Sequence, residues 1–277
     1  MKILVLGATG MAGHTIASYM KSRKFDVTEV TQQTLDIYDD IAALKKMLLS
    51  SDFDAVINCV GILNQDAEKH KHRAVFLNGY LPHYLCSVTK DSKTKVIHMS
   101  TDCVFSGKAG NYHENSLRDG ETFYDRSKAL GEIDNDKDLT FRNSIIGPDL
   151  MESGIGLFNW FMKQNGAIKG YSRAIWTGVT TLTLAKAMEK ALEENLCGLY
   201  HLVNNTKISK YELLRLFNSY FRDGMIGIAE DASVKVNKSL MNNRQDFSFH
   251  VPSYEAMVQE MKEWIYQHRE LYPHYFR

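Results

Sequence analysis

Tyr124 and Lys128 stand four residues apart in Tyr124-Asp125-Arg126-Ser127-Lys128, a spacing at which one helical turn stacks a phenol and an ammonium on the same face. Upstream, Ser100-Thr101-Asp102-Cys103-Val104-Phe105 follows the apolar run Val96-Ile97-His98-Met99, so its hydroxyls should emerge at the end of a buried strand. Strand alternation lets only one of Ser100 and Thr101 face a shared site. A hydroxyl, a phenol and an ammonium together can pass a proton to or from a carbonyl oxygen. Alone, a Tyr/Lys helix pair is an ordinary feature. It gains a chemical meaning when the chain also supplies a cofactor and a substrate.

The cofactor signal lies at the start of the chain. Residues 2–6 form an apolar run without alternation, as a strand buried on both faces would. Gly7-Ala8-Thr9-Gly10-Met11-Ala12-Gly13 follows at once, and residues 14–23 then read as a helix with Ile16, Ala17 and Met20 on one side. Strand, glycine turn and helix together form the context of a dinucleotide fingerprint. Gly7 permits the tight turn, Gly10 lets backbone approach a pyrophosphate, and Gly13 allows close helix–strand packing. The helix N-terminus offers free N–H groups and a positive dipole end to the phosphates, with Thr9 and Met11 in the same turn.

A second strand is expected over residues 26–31, and an acid at its tip would favour NAD. The tip reads Val30-Thr31-Gln32-Gln33, with Glu29 inside the strand and Asp36 beyond it. Such a tip does not repel a 2′-phosphate, and Arg23 or Lys24 would approach one, so NADP is favoured slightly over NAD. Residues 41–49 read as an amphipathic helix and residues 54–61 as the next buried strand, with Cys59, Val60 and Gly61 letting a cofactor lie flat across its end. Residues 67–78 and 81–89 read as helical. Asn78 is either a helix cap or a polar contact to the nicotinamide.

Residues 107–122 are polar and glycine-rich, a surface loop containing Tyr112-His113-Glu114 that either borders the substrate or is simply solvated. Residues 141–148 give another strand ending in a turn. Later segments read as helices over 154–161, 182–194 and 253–265 and a strand over 198–203. Residues 209–221 form an amphipathic helix with Ser209 as cap and Glu212 in the capping-box position.

Composition narrows the partners. Lys plus Arg equals Asp plus Glu at 33 each over 277 residues, so no net charge favours nucleic acid or an anionic membrane. No segment approaches the ~20 apolar residues of a membrane span, and the N-terminal run is too short for a signal peptide. The four cysteines, Cys59, Cys86, Cys103 and Cys197, lack ligand spacing and read as free thiols of a reducing cytosol rather than a metal site. His70 and His72, flanked by lysines, read as a solvated face. The chain is thus expected to be cytoplasmic and metal-free; a homodimer is compatible with the sequence and not specified by it.

Gly7-x-x-Gly10-x-x-Gly13, Asp54-Ala55-Val56-Ile57-Asn58, Ser100-Thr101-Asp102-x-Val104-Phe105, Tyr112-x-Glu114 and Tyr124-x-x-Ser127-Lys128-x-x-Gly131-Glu132 occur together. With these motifs the chain resembles the extended short-chain dehydrogenase/reductases, and within them the dTDP-4-dehydrorhamnose reductase branch. The resemblance implies an α/β fold: a Rossmann-type doubly wound parallel sheet over residues 1–148, completed by later segments, and a smaller C-terminal α/β substrate lobe over residues 149–277. It implies NAD(P)H-dependent reduction of a 4-keto-6-deoxy sugar carried on a nucleoside diphosphate. Carried over by position, Thr101 would bond the keto oxygen, Tyr124 would donate the proton with its pKa lowered by the nearby ammonium, and Lys128 would hold the nicotinamide ribose. Asp36 would contact the adenine. Ser100 is the alternative hydroxyl; Asp102, Cys103, Val104 and Phe105 would border the sugar, with Trp176 and Arg244, the latter as a diphosphate clamp.

Three departures stand out. Cys103 replaces the usual tyrosine, Asp125 a common glycine, and Asn58-Cys59-Val60-Gly61 the usual Asn-Ala-Ala. These leave the sugar open between dTDP-4-dehydrorhamnose and a UDP-linked 2-acetamido-4-keto-6-deoxy hexose. An epimerase or dehydratase shares the Tyr/Lys pair, although no Glu follows Asp102 as dehydratases would have it. A regulatory nucleotide-binding subunit is the alternative from a different class.

Overall fold

The computed structural model describes residues 1–276. Six parallel strands form the main sheet: β1 (Lys2–Leu6), β2 (Asp26–Val30), β3 (Ala55–Asn58), β4 (Lys95–Ser100), β5 (Leu139–Arg142) and a last strand, Gly198–His201. Their spatial order places β2 at one edge, then β1, β3, β4, β5 and Gly198–His201. The last strand comes from beyond residue 148, so a later segment completes the sheet.

Both faces of the sheet are covered, which is why the central strand β1 and the start of β3 read as unbroken apolar runs. Ile3, Val5, Ile57 and Ile97 face one core, under the helix α1 (Met11–Ser22) and the helices Thr181–Glu193 and Tyr254–Gln267. Leu4, Leu6, Val56 and Val96 face the other, under the helices Ile41–Ser50 and Leu81–Thr89. The period-two alternation thus sorts one hydrophobic run into two cores. The chain leaves β1 in one direction to β2 and in the other to β3. That reversal opens a crevice beyond the carboxyl ends of β1 and β3, the usual ligand position of such sheets.

The expected single strand over residues 141–148 is divided at Asn143. Its second part, Ser144–Ile146, leaves the main sheet and pairs in parallel with Gly178–Thr180. A side chain at position 178 would bring a Cβ to 2.4 Å from the Ser144 carbonyl oxygen, so the close pairing requires glycine. Two further small sheets, built from Ile208–Ser209, Ala174–Trp176 and Val236–Asn237 and from Ile228–Asp231 with Ile168–Tyr171, complete the C-terminal part. The helix expected over 154–161 begins later, at Leu157–Met162. Gly154 and Gly156 instead wrap closely around Asp149.

The segment over residues 107–122 is not simply solvated. Backbone bonds from Asn237 N to Gly107 O (2.8 Å), Tyr112 N to Ser239 O (2.9 Å) and Met241 N to Tyr112 O (2.8 Å) tie it to the C-terminal part. Tyr112 is buried and its ring stacks on Phe105 at 4.1 Å. The helical run expected over 67–78 is broken into Asn64–Lys69, Lys71–Ala74 and a π-helical turn, Val75–Tyr80, that runs into Leu81–Thr89. Among the described residues no helix is long and apolar enough to cross a membrane.

Candidate active site

At the end of β1 the backbone makes the cradle. Gly7 has φ +76°, and the N–H groups of Gly7 and Ala8 both donate to Val30 O at the tip of β2 (2.9 and 3.1 Å). A Cβ on Gly13 would lie 2.1 Å from Gly7 O, so only glycine lets α1 pack this close to the turn. Gly10 caps α1 without a side-chain bond, which leaves the first-turn N–H groups for a ligand. A cavity of about 580 Å³ lies over this turn, bordered by Gly7, Thr9, Gly10, Asp36, Cys59, Val60 and Gly61. A second, of about 550 Å³, contains Met11, Thr101, Asp102, Cys103, Tyr124 and Lys128. The two share Gly10, Cys59, Val60, Gly61, Leu63 and Ile155, and so form one groove across the switch point. An open glycine turn, free helix N–H groups and a groove of this extent suit a dinucleotide.

The helix Phe123–Leu130 carries Tyr124 and Lys128. Its start is a reciprocal cap: Thr122 Oγ1 accepts from Asp125 N, and Asp125 Oδ2 accepts from Thr122 N, both at 3.1 Å. Asp125, where a glycine is common, thus holds the start of this helix in place. Gly131 lets this helix cross the π-helical turn, since a Cβ there would meet Asn78 O at 1.9 Å.

Thr101 leaves β4 with extended backbone, and its hydroxyl accepts from Cys103 N (3.1 Å) and donates to Asp102 Oδ1 (3.2 Å). Tyr124 lies near enough for this hydroxyl to act on its phenol. Ser100 points the other way, donating to Glu132 Oε1 at 2.6 Å. Alternation therefore assigns the site-facing hydroxyl to Thr101. Burial pushes the Tyr124 phenol well above its ordinary pKa, with Cys103, Asp102 and Asp125 adding to the rise and Thr101 opposing it. The lowering expected from Lys128 is absent. Its amine is itself buried, donates to Met99 O (2.6 Å) and lies 3.4 Å from His98 Nε2. Burial lowers Lys128 to about 8 against the opposing pull of Glu132 and Cys59. Asp102 is raised by burial, Cys103 to about 11 and Cys59 to about 12 by the same cause.

Behind the site lies a buried ion cluster. Arg142 forks onto both oxygens of Glu132 (2.7 and 2.6 Å), and each side chain is 1% exposed. Arg118 bonds the same carboxylate at 3.0 Å, and Arg142 also donates to His201 Nε2 at 2.7 Å and to Glu114 O at 3.1 Å. Glu114 in turn accepts from His201 N at 3.2 Å. Glu132 thereby joins the reactive helix to the ends of β4 and β5. It was visible in the sequence as part of a motif, with no function attached.

Several residues expected to meet the substrate have partners within the protein. Val104 and Phe105 are fully buried in an apolar cluster with Tyr112, Val203 and Leu240, so they support the reactive turn from behind. Trp176 is buried against Tyr254. Arg244 is not a free diphosphate clamp: its guanidinium pairs with Asp246 and donates to Cys197 O and Leu199 O (2.7 and 3.0 Å), at the edge of the main sheet. Asn78 caps no helix. It is buried and bridges Ile62, on the loop after β3, to Ser127 of the reactive helix. Arg23 and Lys24 precede β2, at the opposite end from its tip, and Arg23 pairs with Glu189 at 2.8 Å.

Other residues line or border the two cavities. Arg73 lies in the first cavity, 3.5 Å from Asp36 Oδ2, which also accepts from Gln32 Nε2 at 3.0 Å. His70, assigned to a solvated face, borders that cavity too. Asn143, whose buried Oδ1 has no hydrogen-bond partner, lines the second cavity together with Asp149 and Ile155. Lys238 is half-buried beside Cys103 and Asp102. Asn143 had a readable signal, a polar residue at the carboxyl end of a sheet strand. Arg73 and Lys238 had none, since only tertiary packing brings them here.

The RmlD substrate binding domain family matches residues 1–223. This chain belongs to that family. As a member of the RmlD branch of the extended short-chain dehydrogenase/reductases, it is 28% identical over 221 residues to the spore coat polysaccharide biosynthesis protein SpsK of Bacillus subtilis, covering 76% of each. It is 24% identical to the methionine adenosyltransferase 2 subunit beta of Xenopus laevis, covering 76% of this chain and 70% of that one. Matches to some reductases span less than half of their length. The fold matches the crystal structure of dTDP-4-dehydrorhamnose reductase from Bacillus anthracis in complex with NADP, with TM-score 0.82 and 20% identity over 94% of this chain and 98% of that one.

Proposed function

We propose that the protein reduces the 4-keto group of a nucleoside-diphosphate 4-keto-6-deoxy sugar, using a nicotinamide dinucleotide, in the synthesis of a surface-polysaccharide sugar. One observation carries this reading: Tyr124, held in its protonated form by burial, stands with Thr101 and Lys128 in a cavity continuous with the glycine cradle. The bound cofactor would supply a hydride to the carbonyl carbon. Thr101 orients the keto oxygen. Tyr124 gives its proton to that oxygen, so the C=O gains one hydride and one proton and becomes a secondary alcohol. The raised phenol pKa suits this direction, because the acid is loaded at neutral pH and the forming alkoxide is far more basic. Lys128, one turn along the helix, would hold the nicotinamide ribose.

NADPH is assigned as the preferred reductant. The strand tip, Thr31-Gln32, carries no carboxylate, and Arg73 supplies a cation to the same cavity. Similarity to SpsK, named for spore coat polysaccharide biosynthesis, supports the pathway class. Similarity to a methionine adenosyltransferase subunit supports a second reading, a regulatory nucleotide-binding protein, against which stands the assembled Thr101/Tyr124/Lys128 set.

The test is cofactor consumption with dTDP- and UDP-linked 4-keto-6-deoxy sugars. Stoichiometric oxidation of NADPH supports a reductase. Product without net consumption supports an epimerase or dehydratase, and tight nucleotide binding without turnover supports the regulatory reading.

A further inference from the structure

The glycine turn is held from behind by a line of buried polar groups that the proposed reaction does not use. His14 lies in the first turn of α1, Trp264 on the helix Tyr254–Gln267, and Tyr272 between the short turns Arg269–Leu271 and Pro273–Tyr275. All three side chains are buried. His14 Nδ1 lies 2.9 Å from Gly10 O and its Nε2 2.9 Å from Tyr272 Oη, while Trp264 Nε1 lies 3.2 Å from the same Oη.

Each link runs in one direction only. A carbonyl oxygen accepts and cannot donate, so His14 carries its proton on Nδ1 and gives it to Gly10 O. The neutral ring then has its lone pair on Nε2, which takes the Tyr272 O–H. An indole N–H only donates, so Trp264 bonds the Tyr272 oxygen and leaves its proton for His14. Burial lowers the His14 pKa against the upward pull of Gly10 O, in keeping with a neutral ring. Thr15 Oγ1, 3.4 Å from Nε2, is engaged elsewhere: it donates to Met11 O at 3.3 Å and accepts from Thr181 Oγ1 at 3.1 Å. Gly10 O also accepts from His14 N at 3.0 Å, so it receives two donors from one residue. This oxygen belongs to the same peptide group as Met11 N–H. That N–H stands in the uncapped first turn of α1, and Gly10 and Met11 both line the second cavity. Donors on a peptide oxygen polarise the group and strengthen its N–H.

We propose that His14, fixed by Tyr272 and Trp264, is a positioning residue for the pyrophosphate of a bound dinucleotide: its bond to Gly10 O holds the Gly10–Met11 peptide in place and strengthens Met11 N–H as a phosphate donor. This role rests on the dinucleotide reading of the cradle and is independent of whether the protein is a reductase. The same C-terminal segment also meets the reaction half of the groove, where Asp149 N donates to Tyr275 Oη at 2.9 Å. Residues more than 250 positions from the glycine turn in the chain therefore take part in shaping it.

The test needs no turnover, so its failure is distinct from failure of the reductase reading. In nucleotide-free protein with ¹⁵N-labelled histidine, NMR should find the His14 proton on Nδ1. Two substitutions then separate the two ring nitrogens. His14→Asn keeps an N–H near the Nδ1 position and loses the acceptor at Nε2, whereas His14→Gln offers an oxygen to Tyr272 and loses the donor to Gly10 O. Calorimetric titration should show NADPH weakened by about three- to tenfold in His14→Gln and held within about twofold of wild type in His14→Asn. The Met11 N–H resonance should move further in the first than in the second. Loss of packing alone would weaken both variants alike. Where His14→Gln does not fold, Tyr272→Phe, which takes the donor from Nε2, should move the Met11 resonance and weaken NADPH in the same sense. A His14 proton on Nε2 in the wild type, equal effects of the Asn and Gln variants, or NADPH binding unchanged in whichever of the Gln and Phe variants folds overturns the proposal.

Discussion

Along the cofactor half of the groove the chain presents mainly backbone: the positive-φ turn at Gly7, the bare N-terminus of α1 at Gly10, and the close pass of Gly13 under Gly7 O. Along the reaction half it presents side chains, delivered from four separate stretches around Thr101, Tyr124, Asn143 and Asp149. Backbone geometry is encoded by neighbours in sequence, whereas the second half depends on which distant residues pack behind it. The first half should therefore fail through steric changes at single glycines. The second should fail through loss of buried partners, even when those partners touch no ligand.

The largest effect is expected on the reaction side. Glu132→Ala leaves the Arg142 guanidinium buried without its carboxylate, a change that costs about 3–5 kcal/mol in comparable cases. Denaturant unfolding should show that loss, and Glu132→Met combined with Arg142→Met should recover most of it. If Glu132→Ala is as stable as the wild type, the ion cluster does not hold this half together.

On the cofactor side, Gly13→Ala places a Cβ 2.1 Å from a backbone oxygen that has no flexible end to move. The turn must shift, at about 1–3 kcal/mol. Calorimetric titration with NADPH should show binding weakened by about tenfold or more, with the circular dichroism of the wild type kept.

Arg73→Ala removes the cation from the first cavity and should weaken NADPH by about tenfold while leaving NADH nearly unchanged. Equal loss for both would remove Arg73 from cofactor choice. Smallest of all, Arg244→Ala should leave the KM for the sugar nucleotide within about twofold, since its guanidinium serves Asp246 and two carbonyls at the sheet edge. A large rise in that KM would restore the diphosphate clamp.

The same contrast explains what was legible in the sequence. The glycine turn, the buried strands and the Ser209 and Glu212 cap were readable because each is settled within a few residues. Thr101, Tyr124 and Lys128 were readable because two short motifs place them, although their charge states were not. A lysine four residues from a tyrosine predicts a lowered phenol pKa only if its amine points there, and here it points to Met99 O. Val104 and Phe105 looked like substrate contacts because they adjoin Thr101, but the short 3₁₀ turn Asp102–Val104 directs them into a core closed by Tyr112 and Leu240. Arg73 and Lys238 carried no local signal.

The central claim is that Tyr124 donates the proton in a cofactor-consuming reduction. Its most direct test is Tyr124→Phe, assayed for NADPH oxidation with a 4-keto-6-deoxy sugar nucleotide beside calorimetric NADPH binding. Turnover should fall by about 10²–10⁴-fold with binding within about twofold of wild type. Turnover that survives the loss of the hydroxyl, with the cofactor still oxidised, would contradict the account.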